Sequence, residues 1–233
     1  MSKPVLGIIG GMGPLATADL FRKLVEHTDA ASDQEHPRVV IDSNTDIPDR
    51  TAALLHGGAD PVPELVKSAR RLVSIGAEAL LMPCNTAHGF YDAVAASVDV
   101  PVLHMIALTR GALAARGVKT AGLLATDGTI ETGIYQRVFD GSGVALLTPP
   151  PEDQAAVMDL IYRGVKAGDP DYDAAAFRRA CERLLARGAE ALILGCTELS
   201  VLNEAFPLPQ LPVIDAQAVL VDVTVERAEA LRG

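Results

Sequence analysis

The sequence predicts an α/β protein built from two pseudo-twofold-related lobes, each a short, mostly parallel sheet flanked by helices, with the active site between them. Two observations carry this expectation. Short β-branched or leucine-rich runs alternate with longer helical patterns along all 233 residues. The stretch GAEALLMPCNTA at Gly76 to Ala87 also returns as GAEALILGCTEL at Gly188 to Leu199, with Cys84 and Cys196 at equivalent points. Around these copies Arg71-Leu72 answers Arg183-Leu184, VPVLHM at Val100 to Met105 answers LPVIDA at Leu211 to Ala216, and VLGIIGGMG at Val5 to Gly13 answers TAGLLATDG at Thr120 to Gly128.

The apolar runs place strands at Val5 to Ile9, Val39 to Asp42, Ala79 to Met82 and Val102 to His104, then at Thr120 to Leu124, Val144 to Leu147, Ala191 to Leu194 and Val213 to Asp215. The first lobe is expected over residues 1–104 and the second over 105–215, with a terminal helix at about 216–233 packing back on the first. That tail reads as amphipathic over Ala216 to Leu231. TPPPED at Thr148 to Asp153 reads as a loop, with Asp153 the N-cap of a helix over Gln154 to Ala167. Cys181 falls beside the apolar stripe of a helix over Ala174 to Arg187 and reads as a packing residue.

Composition narrows the function. With 49% apolar residues the chain is a folded globular protein, and its net charge of −10 without any basic run argues against nucleic acid or an anionic membrane as partner. No apolar run approaches the roughly 20 residues needed to span a bilayer. The start, VLGIIGGMGPLATA, has the look of a short secretory signal, but its glycines and proline suit a first strand and turn better. Three cysteines and no secretion signal predict free thiols in a reducing cytoplasm. The five histidines show no metal-ligand spacing.

In an open parallel sheet the functional crevice lies beyond the carboxyl ends of the strands, where both Cys84 and Cys196 fall. Each is expected at a helix entrance whose dipole lowers the thiol pKa, with Asn85, Thr86 and Thr197 beside it as hydrogen-bond donors to an anion. Two thiols facing each other suit racemisation at Cα. That reaction removes a proton from one face of a carbon and returns one to the other, a task for which a single rigid base is badly placed.

Six blocks then bring the chain close to a known family: GIIGGMGPLAT at Gly7 to Thr17, DIPDRT at Asp46 to Thr51, PCNTAH at Pro83 to His88, ATDGTI at Ala125 to Ile130, YRGVKAG at Tyr162 to Gly168 and GCTEL at Gly195 to Leu199. In order and together they make the sequence resemble the aspartate/glutamate racemase superfamily, and within it the aspartate racemases that work without pyridoxal phosphate. The resemblance implies that Cys84 and Cys196 are the catalytic thiols. It implies that Asn85, Thr86, Thr126, Thr129 and Thr197 hold the substrate's α-carboxylate and amino group, and that Arg50 and Lys166 hold its distal carboxylate. Met12, Asp49 and Glu198 become supporting residues. A homodimer acting on a small acidic amino acid, with no cofactor and no metal, is also implied.

The first strand leads into Gly-Gly-Met-Gly-Pro and the second thiol into Thr197-Glu198, unlike the Asp-Ser-Gly and Gly-Cys-Thr-His of the cell-wall glutamate racemases, which leans toward aspartate. Glutamate or broader racemisation, and maleate or hydantoin isomerisation, are the alternatives within the superfamily. Outside it stand two rivals. Gly11-Met12-Gly13-Pro14-Leu15-Ala16 fits a dinucleotide fingerprint, with Asp42 as ribose partner. A two-lobed binding protein for an acidic amino acid is the non-enzymatic reading. Lobe closure is expected to hinge near His104 to Leu108 and Leu211 to Asp215.

Overall fold

Eight strands form two four-stranded parallel sheets in the computed structural model, which describes residues 4–169, 171–205 and 211–230. The first sheet belongs to the run β1 (Val5–Gly10), α1 (Pro14–His27), β2 (Arg38–Ser43), α2 (Arg50–Leu55), α3 (Val62–Ser74), β3 (Ala79–Leu81), α4 (Tyr91–Ala95) and β4 (Val102–Leu103). The second follows as α5 (Met105–Ala115), β5 (Thr120–Leu124), α6 (Asp127–Glu131), α7 (Ile134–Phe139), β6 (Ala145–Leu147), α8 (Pro151–Asp159), α9 (Ala175–Ala186), β7 (Ala191–Leu194), α10 (Thr197–Ala205), β8 (Val213–Asp215) and α11 (Ala216–Ala230). Strand order is β2-β1-β3-β4 in one sheet and β6-β5-β7-β8 in the other, the same order twice. The two-lobed α/β architecture is thus as the sequence predicts, with strand ends shifted by a residue or so.

The repeated Gly-Ala-Glu-Ala-Leu has the same structural work in both lobes. Gly76 and Gly188 both leave their helices at φ +99°, a conformation that costs glycine least. Ala77 and Ala189 are buried, and the backbone N–H groups of Glu78 and Glu190 donate to Val5 and Thr120 at the start of each central strand. The two glutamate side chains accept from the N–H groups of Val5 (3.4 Å) and Lys119 (2.7 Å). Every residue of the pentapeptide therefore stops a helix or aligns β3 or β7 against its neighbour.

Buried on both faces, the central strands β1 and β7 are apolar throughout, as parallel strands covered by helices must be. Leu72 and Leu65 of α3 pack with Ile9 and Leu80 on one face of the first sheet, and Leu20 and Leu24 of α1 with Ile8 and Leu81 on the other. In the second sheet α9 supplies Phe177 and Leu184 to one face, while α7 supplies Tyr135 and Phe139 to the other.

Helix α11 departs from the expected amphipathic pattern. Ala216, Gln217, Leu220, Val221, Thr224 and Val225 are buried along with Val219 and Ala228, so the buried arc takes up most of its circumference. The reason is shared packing: Leu220, Val221 and Val225 join the cluster of Ile8, Leu20 and Leu24, while Val219 joins that of Leu123 and Ile214. Residues 231–233 of the expected tail lie outside the described residues. A second departure concerns Asp153. Helix α8 begins three residues earlier than the expected Gln154, with Pro151 at its first position, where a missing N–H costs nothing. Asp153 is buried inside the first turn and pairs with Arg183 at 3.3 Å.

A buried ionic cluster ties the lobes together. Lys23 of α1 reaches Asp19 at 3.0 Å and Asp215, at the end of β8, at 3.2 Å. Gln217 donates to Asp19 (2.6 Å), and Ser200 of α10 donates to Asp215 (2.5 Å). Burial works against the charge on Lys23, but Asp215 and Asp19 outweigh it and raise the lysine pKa. Lys23→Ala leaves Asp215 without its cation and Asp19 with Arg22 alone, at 2.7 Å, and we expect a loss of about 3–5 kcal/mol in urea denaturation.

Candidate active site

Strand order decides where the crevice opens. In each sheet the chain runs from the central strand to one edge and then crosses to the other side, so the loops leaving β1 and β3, and those leaving β5 and β7, diverge at the carboxyl ends. The first pair of loops carries Met12 and Cys84 to Thr86, and the second pair carries Thr126 and Cys196 to Glu198. All of these line one pocket between the lobes, together with Asp49, Arg50, Thr51, Tyr162 and Lys166. The cavity left among them is about 10 Å³, barely room for one water molecule. On its outer wall Tyr162 (36% exposed) and the Lys166 side chain (27% exposed) reach solvent, and an amino acid enters only if side chains here give way.

Close backbone approach holds the lobes at this distance. A Cβ on Gly128, in the second lobe, would stand 2.8 Å from Thr51 Oγ1 and 3.0 Å from Thr51 Cα in the first. Gly11 has φ +87° and lies against the backbone of Asn44, where no side chain fits.

The two sulfurs have different neighbours. Cys196 donates its thiol hydrogen to Glu198 Oε2 at 2.9 Å. Burial first, and the Glu198 carboxylate second, push its pKa well above the ordinary thiol value. The expected lowering by a helix dipole is therefore reversed: Cys196 does precede α10, but desolvation and an adjacent anion outweigh the field of the helix end. After Cys84 comes a 3-10 turn, Thr86–Phe90, and not a regular α-helix. Its sulfur faces the Arg50 guanidinium, which is held in place by the carbonyls of Pro48 (3.0 Å), Ile47 (3.3 Å) and Met12 (3.3 Å). Burial opposes the arginine charge, yet Cys84, Asp49 and Glu198 together raise its pKa. Cys181 is a free thiol inside the second lobe, pushed up to about 12 by burial, and lies away from the pocket.

Lys166 closes the other side. It stands 3.5 Å from Glu198 Oε1 and 5.0 Å above the Tyr162 ring, and its pKa is raised against burial by Glu198 and the two cysteines. Both Tyr162 and Lys166 come from a π-helical segment, Leu160–Lys166, whose wider turn brings them to the same wall. Asp49 is the N-cap of α2, accepting from the Ala52 N–H at 2.8 Å, so it orients the turn that presents Arg50.

The polar residues form a connected set. Thr86 Oγ1 lies 2.9 Å from Thr126 Oγ1 and 3.0 Å from Thr129 Oγ1, bridging the lobes. Thr129 does not line the pocket itself and supports the other two threonines. Asn85 Oδ1 accepts from the Tyr135 hydroxyl at 2.7 Å, which leaves the buried Asn85 Nδ2 without a protein partner. Arg50 Nε is a second buried donor without one. Two unpaired donors in a pocket that also holds two cations suit an anionic ligand.

Sequence reading missed Thr51, Tyr162 and Tyr135. The first two stand inside the blocks DIPDRT and YRGVKAG, so their neighbours were a usable signal. Tyr135 had none, because only the packing of α7 brings it to Asn85. Asp42 of the dinucleotide rival is engaged by Arg71 at 2.7 Å. Beyond Gly13 of the same fingerprint stands the Glu198 carboxylate, 3.5 Å from where a Cβ would be, an unfavourable neighbour for a pyrophosphate. Among the described residues no cluster of His, Cys, Asp or Glu is arranged to hold a metal ion, and no helix is long and apolar enough to cross a membrane.

A duplicated parallel α/β fold with a cysteine at the switch point of each sheet defines a class, and residues 9–224 match the Asp/Glu/Hydantoin racemase family: the chain belongs to it and is a racemase of that family. Among solved structures it is similar to the aspartate racemase of Picrophilus torridus, with 33% identity over 97% of this chain and 94% of that one and a TM-score of 0.83. It is 25% identical to the broad specificity amino-acid racemase RacX of Bacillus subtilis (strain 168), over 95% of this chain and 96% of that protein. It is 30% identical to the glutamate racemase of Corynebacterium glutamicum over 61% of this chain, matching 52% of that enzyme.

The Glu198 contact gives a measurable pH effect. Removing the carboxylate in Glu198→Gln takes away the second cause of the raised Cys196 pKa, so the pH at which iodoacetamide labels Cys196 should move downward. At pH 8 the labelling of Cys196, followed by peptide mass, should quicken about tenfold for every pH unit by which the thiol titrates lower.

Proposed function

We propose that the protein racemises an acidic amino acid, aspartate in the first place, by two-base proton transfer between Cys84 and Cys196. The observation that carries this reading is the placement of two sulfurs from opposite lobes on one pocket that also holds Arg50, Lys166 and unpaired donors. The substrate's distal carboxylate lies on Arg50 and Lys166, since a guanidinium pairs with a planar carboxylate through two parallel hydrogen bonds. Its α-carboxylate takes donors from Asn85 Nδ2, Thr86, Thr126 and Thr197, which stabilise the negative charge that develops when Cα loses its proton. One sulfur removes that proton as thiolate while the other, as thiol, delivers a proton to the opposite face. The roles exchange with direction, so the chemistry needs only groups of the protein.

Cys196 holds its proton toward Glu198, which suits it to act as the acid in the first half-turn. In the reverse direction Cys196, left as the thiolate by the forward turn, removes the Cα proton, and Cys84 delivers the proton it has taken up. Met12 contributes its backbone carbonyl to hold Arg50 in place. Aspartate is preferred to glutamate because the aspartate racemase of Picrophilus torridus is similar over nearly the whole chain. The broad specificity and glutamate racemases among the relatives make a wider substrate range the second reading.

Incubation of the purified protein with L-aspartate in D2O tests the proposal. Loss of both the Cα proton signal and optical rotation is expected, and retention of both by folded protein sinks aspartate as substrate. Cys84→Ser and Cys196→Ser should each lower racemisation by about 10²–10⁴-fold, the usual worth of a positioned acid or base. Normal turnover by either variant removes the two-base mechanism. Arg50→Ala should reduce kcat/KM for aspartate far more than for alanine, and equal losses would show that Arg50 does not read the side chain.

A further inference from the structure

His88 lies four residues beyond Cys84, is buried, and has both ring nitrogens engaged. Nδ1 is 2.9 Å from the carbonyl oxygen of Cys84, and Nε2 is 3.1 Å from the backbone nitrogen of Met105. A backbone carbonyl only accepts and a backbone N–H only donates, so the contacts fix one tautomer: Nδ1–H donates to Cys84, and bare Nε2 accepts from Met105. Burial, and then the neighbouring His104, lower its pKa to about 3, so the ring stays neutral at working pH. The rings of Tyr91 (5.9 Å) and His104 (4.8 Å) pack against it and hold its plane.

The two contacts join distinct parts of the molecule. Cys84 ends the loop after β3 in the first lobe, whereas Met105 opens α5, the helix that begins the second. At that helix start the His104 ring accepts from the Ala107 N–H at 3.3 Å, so two neutral imidazoles satisfy donors that a helix N-terminus leaves free. His88 has no nitrogen left for substrate, which excludes it as an acid or base in the reaction.

We propose that His88 is the positioning residue of Cys84: its Nδ1–H grips the Cys84 carbonyl and sets the direction of the thiol, while Nε2 registers that loop against the first turn of α5. The proposal rests on the reading of Cys84 as an acid-base thiol, and it concerns the bond to Cys84 more than the cap on α5. The two bonds can be separated, since an Asn amide occupies the place of Nδ1 and a Gln amide that of Nε2.

His88→Asn and His88→Gln are therefore compared in the intact chain, by kcat and KM for aspartate in D2O and by iodoacetamide labelling of Cys84 and Cys196. His88→Gln, which loses the Cys84 bond, should drop kcat by about a hundredfold, the scale of an ångström of misplacement, with KM little changed. It should also label Cys84 several-fold faster while Cys196 is unaffected. His88→Asn should stay near wild type in both. Equal behaviour of the two variants, or the greater loss in His88→Asn, overturns the proposal in favour of a purely structural cap. The labelling comparison needs no substrate, so it decides the point even if aspartate is not turned over. Should a variant fail to fold, the ¹⁵N spectrum of wild-type His88 decides: a neutral ring protonated at Nδ1 is expected, and an Nε2–H tautomer or an imidazolium refutes it.

Discussion

Two buried sulfurs that must meet one small pocket from opposite sides are the constraint on which the rest of the structure depends. A single sheet can present a side chain at its switch point from one side only. Two copies of the same sheet, with β1 and β3 in one lobe answering β5 and β7 in the other, present two. The copies come close through backbone contact such as that of Gly128 with Thr51, and leave a cavity of about 10 Å³ between them.

Proximity then sets the electrostatics. Arg50 faces Cys84, and Glu198 joins Cys196 to Lys166, so the charged groups act as compensating partners more than as separate residues. Arg50 is buried against its own preference, and both cations are retained by the groups around them. The asymmetry between the sulfurs, one facing a guanidinium and the other a carboxylate, gives the site a direction even though the fold is nearly twofold. Asn85 Nδ2 and Arg50 Nε are buried donors of that pocket without a protein partner.

Helix α11 and the Lys23 cluster explain why the lobes act together. Asp215 accepts from Ser200 and from the Gln217 N–H while pairing with Lys23, so one carboxylate at the end of β8 connects α1, α10 and α11. The α10 it touches is the helix that begins immediately after Cys196. A hinge in this region would have to preserve the cluster or break buried charges, which favours small rotations about it over separation of the lobes.

The sequence by itself determined the two-lobed α/β architecture, the repeat, and most of the residues that line the pocket, because an identical pentapeptide and two cysteines at matching points leave a pattern that local propensity alone does not explain. Arg50, Lys166 and Glu198 were legible through their motifs. The protonation tendency of Cys196 was not, since a helix start argues for a low pKa and only the observed burial and the Glu198 contact reverse it. Nor were the N-terminus of α8 or the wide buried arc of α11, which reflect what packs against them. Tyr135, the His88 bond to Met105 and the Lys23 bond to Asp215 were silent in sequence because each joins separate elements, and hydrogen bonds between distant parts of a chain are decided only when tertiary packing brings their atoms within about 3 Å.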